Sequence, residues 1–314
     1  MRIVKPTRLR TGATIGIISP ASPQRDETRL ERGIRYLERM GFRVELGKNT
    51  STRFGGYLAG TDAERCCDLE EMFANRNIAA VICARGGYGT PRLLNMIDYR
   101  KIARNPKIFV GFSDTTALQS AVFRRTGLIT FSGAMVSVDM ADNFDPESEN
   151  LFWQILTEPA ETRKITQSLT VEQMHGGVAE GRLYCGNLTL LTGLLGTPFA
   201  PFWKDGILLV EDIGEAPYRI DRNLMHLENA GLWKKLAGLC FGQFTQTEAG
   251  QSPMPQRTTQ EITEEFAARA ELPSLANIMY GHTVKKLTLP FGVKTHIDAD
   301  KAQLTILESP ILTD

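Results

Sequence analysis

A serine ends the apolar run in Lys107-Ile108-Phe109-Val110-Gly111-Phe112-Ser113-Asp114-Thr115-Thr116, and a helical pattern from Thr115 to Arg125 follows at once. A strand-to-helix turn holds such a hydroxyl exposed, with backbone N–H groups pointing outward, which suits a nucleophile. The plainer reading is a helix cap, because Ser and Asp are favoured N-caps and caps far outnumber nucleophiles.

A nucleophilic serine needs a base, and the base needs a group to orient it. The chain has four histidines. His175 stands in a polar stretch beside two glycines, His226 falls in a helical pattern, and His296 lies in an alternating C-terminal segment. His282 follows Gly281 in a loop between structured stretches, and loops on rigid elements favour functional residues. It is the base candidate. Glu211 is the orienting candidate, because it stands at the end of the buried-looking strand Gly206-Ile-Leu-Leu-Val210, where one side is desolvated. Its alternative is a turn-starting residue, or a partner for Arg219 or Arg222.

An oxyanion needs fixed backbone donors. The turn Arg85-Gly-Gly-Tyr-Gly89 follows the apolar run Ala79 to Ala84, so the N–H of Gly87 and that of Asp114 are the candidates. This loop lacks the Lys-Ser/Thr of a P-loop and the glycine spacing of a dinucleotide fingerprint. A tight turn remains its simple alternative.

The elements that must position these residues alternate through the first half. Strand-like runs at Thr14–Ile18, Phe42–Leu46, Ala79–Ala84 and Ile108–Val110 are separated by helical spacings at Arg25–Met40, Ala63–Ala74 and Pro91–Ile97. Such alternation predicts parallel strands with right-handed crossovers, with ligands at the carboxyl ends of the strands. The segments Ser19 to Ser22, Arg85 to Gly89 and Gly111 to Asp114 would then meet. Asp139 to Glu149 reads as an acidic loop, and Glu158 to Gly177 as a polar crossover without periodicity. The expected division is therefore 1–157, a linker at 158–177, and a mixed α/β domain at 178–314. Strands at Gly206–Val210, Leu236–Phe244 and Ala302–Leu307, and helices at Arg219–Ala230 and Thr258–Ala270, belong to the last part.

The 314 residues carry 36 Lys plus Arg against 36 Asp plus Glu, so the formal net charge is zero. Nothing in this balance draws the chain to nucleic acid or to an anionic membrane. Five cysteines without a repeating spacing do not make a disulfide framework, and Cys66-Cys67 in a helix would point different ways, unsuited to a metal. Without an apolar leader or an 18-residue apolar span, the expectation is a soluble cytoplasmic protein.

Together these stretches resemble the LD-carboxypeptidase family of serine peptidases. The resemblance rests, in order, on Ile17 with Ser19-Pro20-Ala21, Arg85 to Gly89, Gly111 to Asp114, Leu209 to Ile213 with Pro217-Tyr-Arg219, and Gly281-His282. Gly186-Asn187-Leu188 and Leu287 to Gly292 also fit. It implies a flavodoxin-like parallel-sheet N-terminal domain carrying the nucleophile, and a smaller, β-rich mixed α/β domain carrying Glu and His. It further implies a triad of Ser113, Glu211 and His282, no cofactor or metal, and a homodimer. Thr115 stands where an α/β-hydrolase elbow would have its second glycine, which favours the peptidase family. The implied substrate is a murein tetrapeptide, cut between a dibasic L-centre and the terminal D-alanine in cell-wall recycling. A carboxypeptidase must also grip a free carboxylate, so Arg85 and Asn187 are substrate-binding candidates. Arg85 could instead brace its own loop, and Asn187 could satisfy a turn. Two other readings stay open: an immunity hydrolase for microcin-type peptidyl nucleotides, and a two-domain small-molecule binding protein without catalysis.

Overall fold

The computed structural model describes residues 2–142, 144–165, 170–247 and 256–313. Two compact units divide the chain. The first holds Met1–Pro159, Thr288–Phe291 and Pro310–Asp314; the second holds Ala160–Leu287 and Gly292–Ser309.

The first unit begins β1 (Thr14–Ile18), α1 (Glu27–Arg39), β2 (Arg43–Leu46), α2 (Asp62–Ala74) and β3 (Ile78–Cys83). It continues through α3 (Tyr99–Arg104), β4 (Ile108–Gly111), α4 (Thr116–Thr126), β5 (Thr130–Ser132) and α5 (Pro146–Thr157). The second unit runs β6 (Arg163–Lys164), β7 (Glu172–His175), β8 (Val178–Asn187), α6 (Leu188–Gly193), β9 (Gly206–Ile213) and α7 (Pro217–Asn229). Then come β10 (Leu236–Thr245), α8 (Thr259–Ala270) and β11 (Ser274–Ala276). The chain returns to the first unit for β12 (Leu289–Phe291) and closes the second with β13 (Lys294–Asp298) and β14 (Gln303–Ile306).

The first sheet has the order β2-β1-β3-β4-β5, parallel throughout, with β12 antiparallel at the far edge. That is the flavodoxin-like order, whose switch point lies between β1 and β3. Its central strands β1, β3 and β4 are continuous apolar runs, as strands covered on both faces are: Ile15, Ile17, Ile82 and Val110 have no exposed surface. Local signals set the helix starts. Asp26 caps α1, and Thr61 with Glu64 forms a capping box on α2.

Two expectations change here. The apolar spacing at Pro91–Ile97 is not a helix: a single 3-10 turn (Thr90–Arg92) is followed by turns, and α3 starts later. Asp98 supplies the reason by taking the N-cap role, accepting from Arg100 N–H. Leu93, Leu94 and Ile97 are buried from the turns instead. The acidic stretch after Asp139 leads into α5, whose start combines Asp145 as cap, Pro146 in the first turn, and Glu147 and Glu149. Those acidic residues suit the positive end of a helix.

The second sheet has the order β6-β14-β13-β8-β9-β10-β11-β7. Its centre, β8 to β11, is parallel, and antiparallel strands flank it. The polar stretch 158–177 supplies both edge strands, β6 and β7; residues 166–169 of it lie outside the described residues. Strand β9 runs beyond Val210 to Ile213, because Asn187 of β8 pairs with Glu211 and Phe244 of β10 with Asp212. Glu211 therefore sits inside a strand rather than at its end.

Candidate active site

In the first unit, Ser113 follows β4 and opens a 3-10 turn (Ser113–Thr115) that runs into α4. Its φ is +65°. A left-handed conformation costs a non-glycine residue about 1–3 kcal/mol and persists only where its surroundings impose it. Neither the turn nor α4 is closed by a side-chain cap. The Asp114 carboxylate turns to the glycine loop instead, accepting from Gly89 N–H at 3.2 Å and Thr90 N–H at 2.8 Å. The Thr90 hydroxyl donates in return to the Asp114 carbonyl at 2.5 Å. Burial pushes the Asp114 carboxyl above the usual carboxylate range, with the Thr90 and Gly89 hydrogen bonds opposing.

The loop after β1 joins this knot. Ser22 Oγ accepts from Tyr88 N–H at 3.0 Å. The buried Arg65 guanidinium donates to the carbonyls of Pro20 at 2.6 Å and Gly89 at 3.0 Å, and pairs with Asp62. Three loops at the carboxyl ends of β1, β3 and β4 are thus sewn together. A Cβ on Gly86 would stand 3.0 Å from Ser113 Cβ, so loop and serine are direct neighbours. Gly87 has φ +123°, and a side chain there would strike Ser22, so only glycine suits the turn.

In the second unit, His282 Nδ1 lies 2.7 Å from Glu211 Oε2. The glutamate side chain has no exposed surface, while that of histidine is 19% exposed. Burial raises the Glu211 pKa, and the His282 contact works against that rise. A carboxylate at Nδ1 places the proton there and makes Nε2 the basic nitrogen. Asn187 Nδ2 approaches Glu211 Oε1 at 3.5 Å and donates to Asp212 Oδ1 at 2.7 Å. Asp212 also accepts from Thr189 N–H and hydroxyl at 3.0 and 2.8 Å, which ties α6 to β9.

A bulge brings the histidine in. Phe241 pairs with Val210 and Phe244 with Asp212, so Gly242 and Gln243 together oppose Glu211. Bulges re-aim side chains and recur beside active sites. Gln243 N–H donates to Tyr280 carbonyl at 2.8 Å, and Gln243 bridges Gly281. A Cβ on Gly242 would overlap the Tyr280 carbonyl. The close approach of these backbones delivers His282, the next residue, to Glu211.

The sequence candidates thus fall into two groups. Ser113, Asp114, Gly87 and Arg85 lie in the first unit; Glu211, His282 and Asn187 lie in the second. Arg85 donates to the carbonyls of Gly86 at 3.2 Å and Pro23 at 3.3 Å, bracing its own loop. Asn187 is 4% exposed, caps α6 through Leu190 N–H, and serves Asp212 and Glu211. The other histidines lie in β7, α7 and β13. Sequence reasoning passed over Arg65, Thr90, Asp212, Thr189 and Gly242. Only Gly242, a glycine inside an apolar strand pattern, carried a local signal. Among the described residues no group of three His, Cys, Asp or Glu side chains could hold a metal ion.

The first unit holds a serine in a strained turn at a parallel-strand end, the second an imidazole held by a buried carboxylate, and the two units each match a domain of a two-domain class of serine peptidase. Family models for the LD-carboxypeptidase N-terminal and C-terminal domains match residues 15–133 and 180–297. The chain belongs to the LD-carboxypeptidase family. It is 38% identical to a probable murein peptide carboxypeptidase of Bacillus subtilis (strain 168), over 92% of this chain and 90% of that protein. Among solved structures it resembles the microcin C7 self-immunity protein MccF in complex with aspartyl sulfamoyl adenosine. That match has a TM-score of 0.90 and 29% identity, and covers 98% of this chain and all of the other. It also resembles muramoyltetrapeptide carboxypeptidase from Oxalobacter formigenes, with TM-score 0.80, 31% identity, and 94% and 98% covered.

Proposed function

We propose that this chain is a serine-type LD-carboxypeptidase that releases the terminal D-alanine of murein tetrapeptides. The observation that carries the reading is the His282–Glu211 pair at 2.7 Å, with the carboxylate fully buried, in a chain matched by both domain models of the family.

In this reading His282 Nε2 takes the proton of Ser113 Oγ as the oxygen attacks the carbonyl of the dibasic residue. Glu211 holds the ring in the required tautomer and stabilises the imidazolium. The N–H groups of Gly87 and Asp114 receive the oxyanion; losing one such donor typically costs about two to three orders of magnitude in turnover. His282 then protonates the leaving amine of D-alanine, and water, activated by the same ring, releases the acyl group from Ser113. Arg85, with five N–H donors and two spent on its loop, has donors left for the terminal carboxylate of the substrate. Asn187 acts on Glu211 and Asp212 more than on substrate.

A cytoplasmic homodimer working in cell-wall recycling completes the proposal. Among the described residues no helix is long and apolar enough to cross a membrane. The test is mass spectrometry of murein tri-, tetra- and pentapeptides, and of an aminoacyl sulfamoyl adenosine, incubated with wild-type and Ser113→Ala protein. Loss of one alanine from the tetrapeptide by wild type alone is expected. Cleavage of the adenosine conjugate alone would move the chain to the immunity branch, and full activity of the alanine variant would remove Ser113 from the mechanism.

A further inference from the structure

An exposed aromatic patch borders the serine loop. Tyr57 and Tyr88 are 52% and 51% exposed, unusual for side chains of this size, and their ring centroids lie 5.7 Å apart with planes at 59°. Phe54, also 51% exposed, lies on the same small turn as Tyr57, closed by paired hydrogen bonds between Phe54 and Leu58. Both tyrosines are fixed from behind. Leu58 is buried, and a Cβ on Gly89 would stand 2.7 Å from its Cδ2. Ala59 N–H donates to Ala21 carbonyl at 3.0 Å, and Tyr88 N–H to Ser22 at 3.0 Å. Arg92 pairs with Asp62 at 2.7 Å.

Contiguous exposed aromatic surface on a rigid frame marks a binding surface. Its location narrows the occupant. Gly86 touches Ser113, and Tyr88 is two residues on, at most about 7 Å along the chain, before its ring adds further reach. In a muramoyl tetrapeptide cut before its last residue, the sugar begins three residues upstream of the bond, about 10 Å in extended form. A pyranose also has the chemistry the patch would take. Its axial C–H groups form an apolar, weakly positive face that packs on the negative face of an aromatic ring, while the phenol hydroxyls remain beside its polar edge.

Resting on the peptidase reading above, we propose that Tyr57 and Tyr88 form a platform for the muramoyl sugar of the substrate. The enzyme would then prefer sugar-bearing tetrapeptides over free ones, through residues that take no part in bond cleavage.

Two measurements test this. First, kcat/KM is determined for muramoyl tetrapeptide and for free tetrapeptide with wild type, Tyr57→Ala, Tyr57→Phe and Tyr88→Ala. The preference for the sugar-bearing substrate is expected to fall about tenfold in the alanine variants, carried by KM, and to survive in Tyr57→Phe, since a ring is retained. Equal loss on both substrates, or no preference in wild type, overturns the proposal. Second, saturation-transfer NMR with N-acetylmuramic acid is recorded on wild-type and Tyr57→Ala/Tyr88→Ala protein. A signal that disappears in the double variant supports the platform even if neither peptide is cut, an outcome that would count against the peptidase reading alone. No signal in wild type, or the same signal in both, overturns it. A change of oligomeric state in the double variant with an unchanged substrate preference would mean that a second copy of the chain occupies the patch, and also overturns it.

Discussion

His282 Nδ1 lies 2.7 Å from Oε2 of Glu211, and the carboxylate is sealed from solvent while the ring reaches the surface. The pair joins a cost to a use. A buried carboxylate is expensive to ionise, and the imidazole is its compensation.

That cost has a pH signature. Burial raises the Glu211 pKa above its ordinary 4.5. A carboxyl with a raised folded pKa binds its proton more tightly when folded. Its contribution to stability is therefore complete below about pH 4.5 and is lost as pH rises through the folded value. Glu211→Gln should melt higher than wild type at neutral pH, with the gain shrinking toward pH 4, while kcat/KM falls by about three to four orders of magnitude. Melting curves and kinetics across pH 4 to 8 check this. A gain that is the same at every pH would contradict the burial argument.

Ser113 sits at φ +65°, where glycine carries no penalty. Ser113→Gly should therefore raise stability by roughly 1 kcal/mol and abolish peptidase activity. A helix cap would behave in the opposite way, since replacing a capping side chain destabilises. Urea denaturation beside a turnover assay separates the two roles.

Asp114 holds the glycine loop through Gly89 and Thr90. Asp114→Ala would leave two buried N–H groups without an acceptor, at about 1–3 kcal/mol each. Removing a buried carboxyl with a raised pKa offsets part of that loss at neutral pH. A net fall in Tm is expected, together with a kcat decrease of at least tenfold as the Gly87 donor loses its position. Wild-type kcat in this variant would show that the loop does not hold the oxyanion.

Gly242 allows the Tyr280 carbonyl to lie against β10. Gly242→Ala must push that backbone away at a cost of about 1–3 kcal/mol, and His282, two residues beyond, should lose its register with Glu211. The expected readout is a drop in kcat larger than any rise in KM. Gly193→Ala, where an added Cβ meets nothing within 4 Å, serves as the control and should retain activity.

The strands β1, β3 and β4 of the first unit were legible because parallel strands buried on both faces must be continuous apolar runs, and Ile15, Ile82 and Val110 carry that signature, whereas the three-residue strands β5 and β12 are too short to show a pattern. The segment Pro91–Ile97 misled for a related reason: apolar spacing reports burial, and turns can bury Leu93 and Ile97 as well as a helix can. Edge strands β6 and β7 were illegible, since edge positions place few demands on side-chain pattern.

The sequence by itself determined which side chains could do chemistry. Ser113 after an apolar run, Glu211 directly after another and His282 beyond a glycine are local facts of residue type and order. Only the tertiary structure decided their environments. The left-handed twist of Ser113, the tie of Asp114 to Gly89 and Thr90, and the bulge that lets Gly281 approach β10 all depend on contacts between distant segments. So does the desolvation of Glu211, which follows from the strands and loops packed around it. Burial and close backbone approach are properties of the packed chain, and no local pattern encodes them.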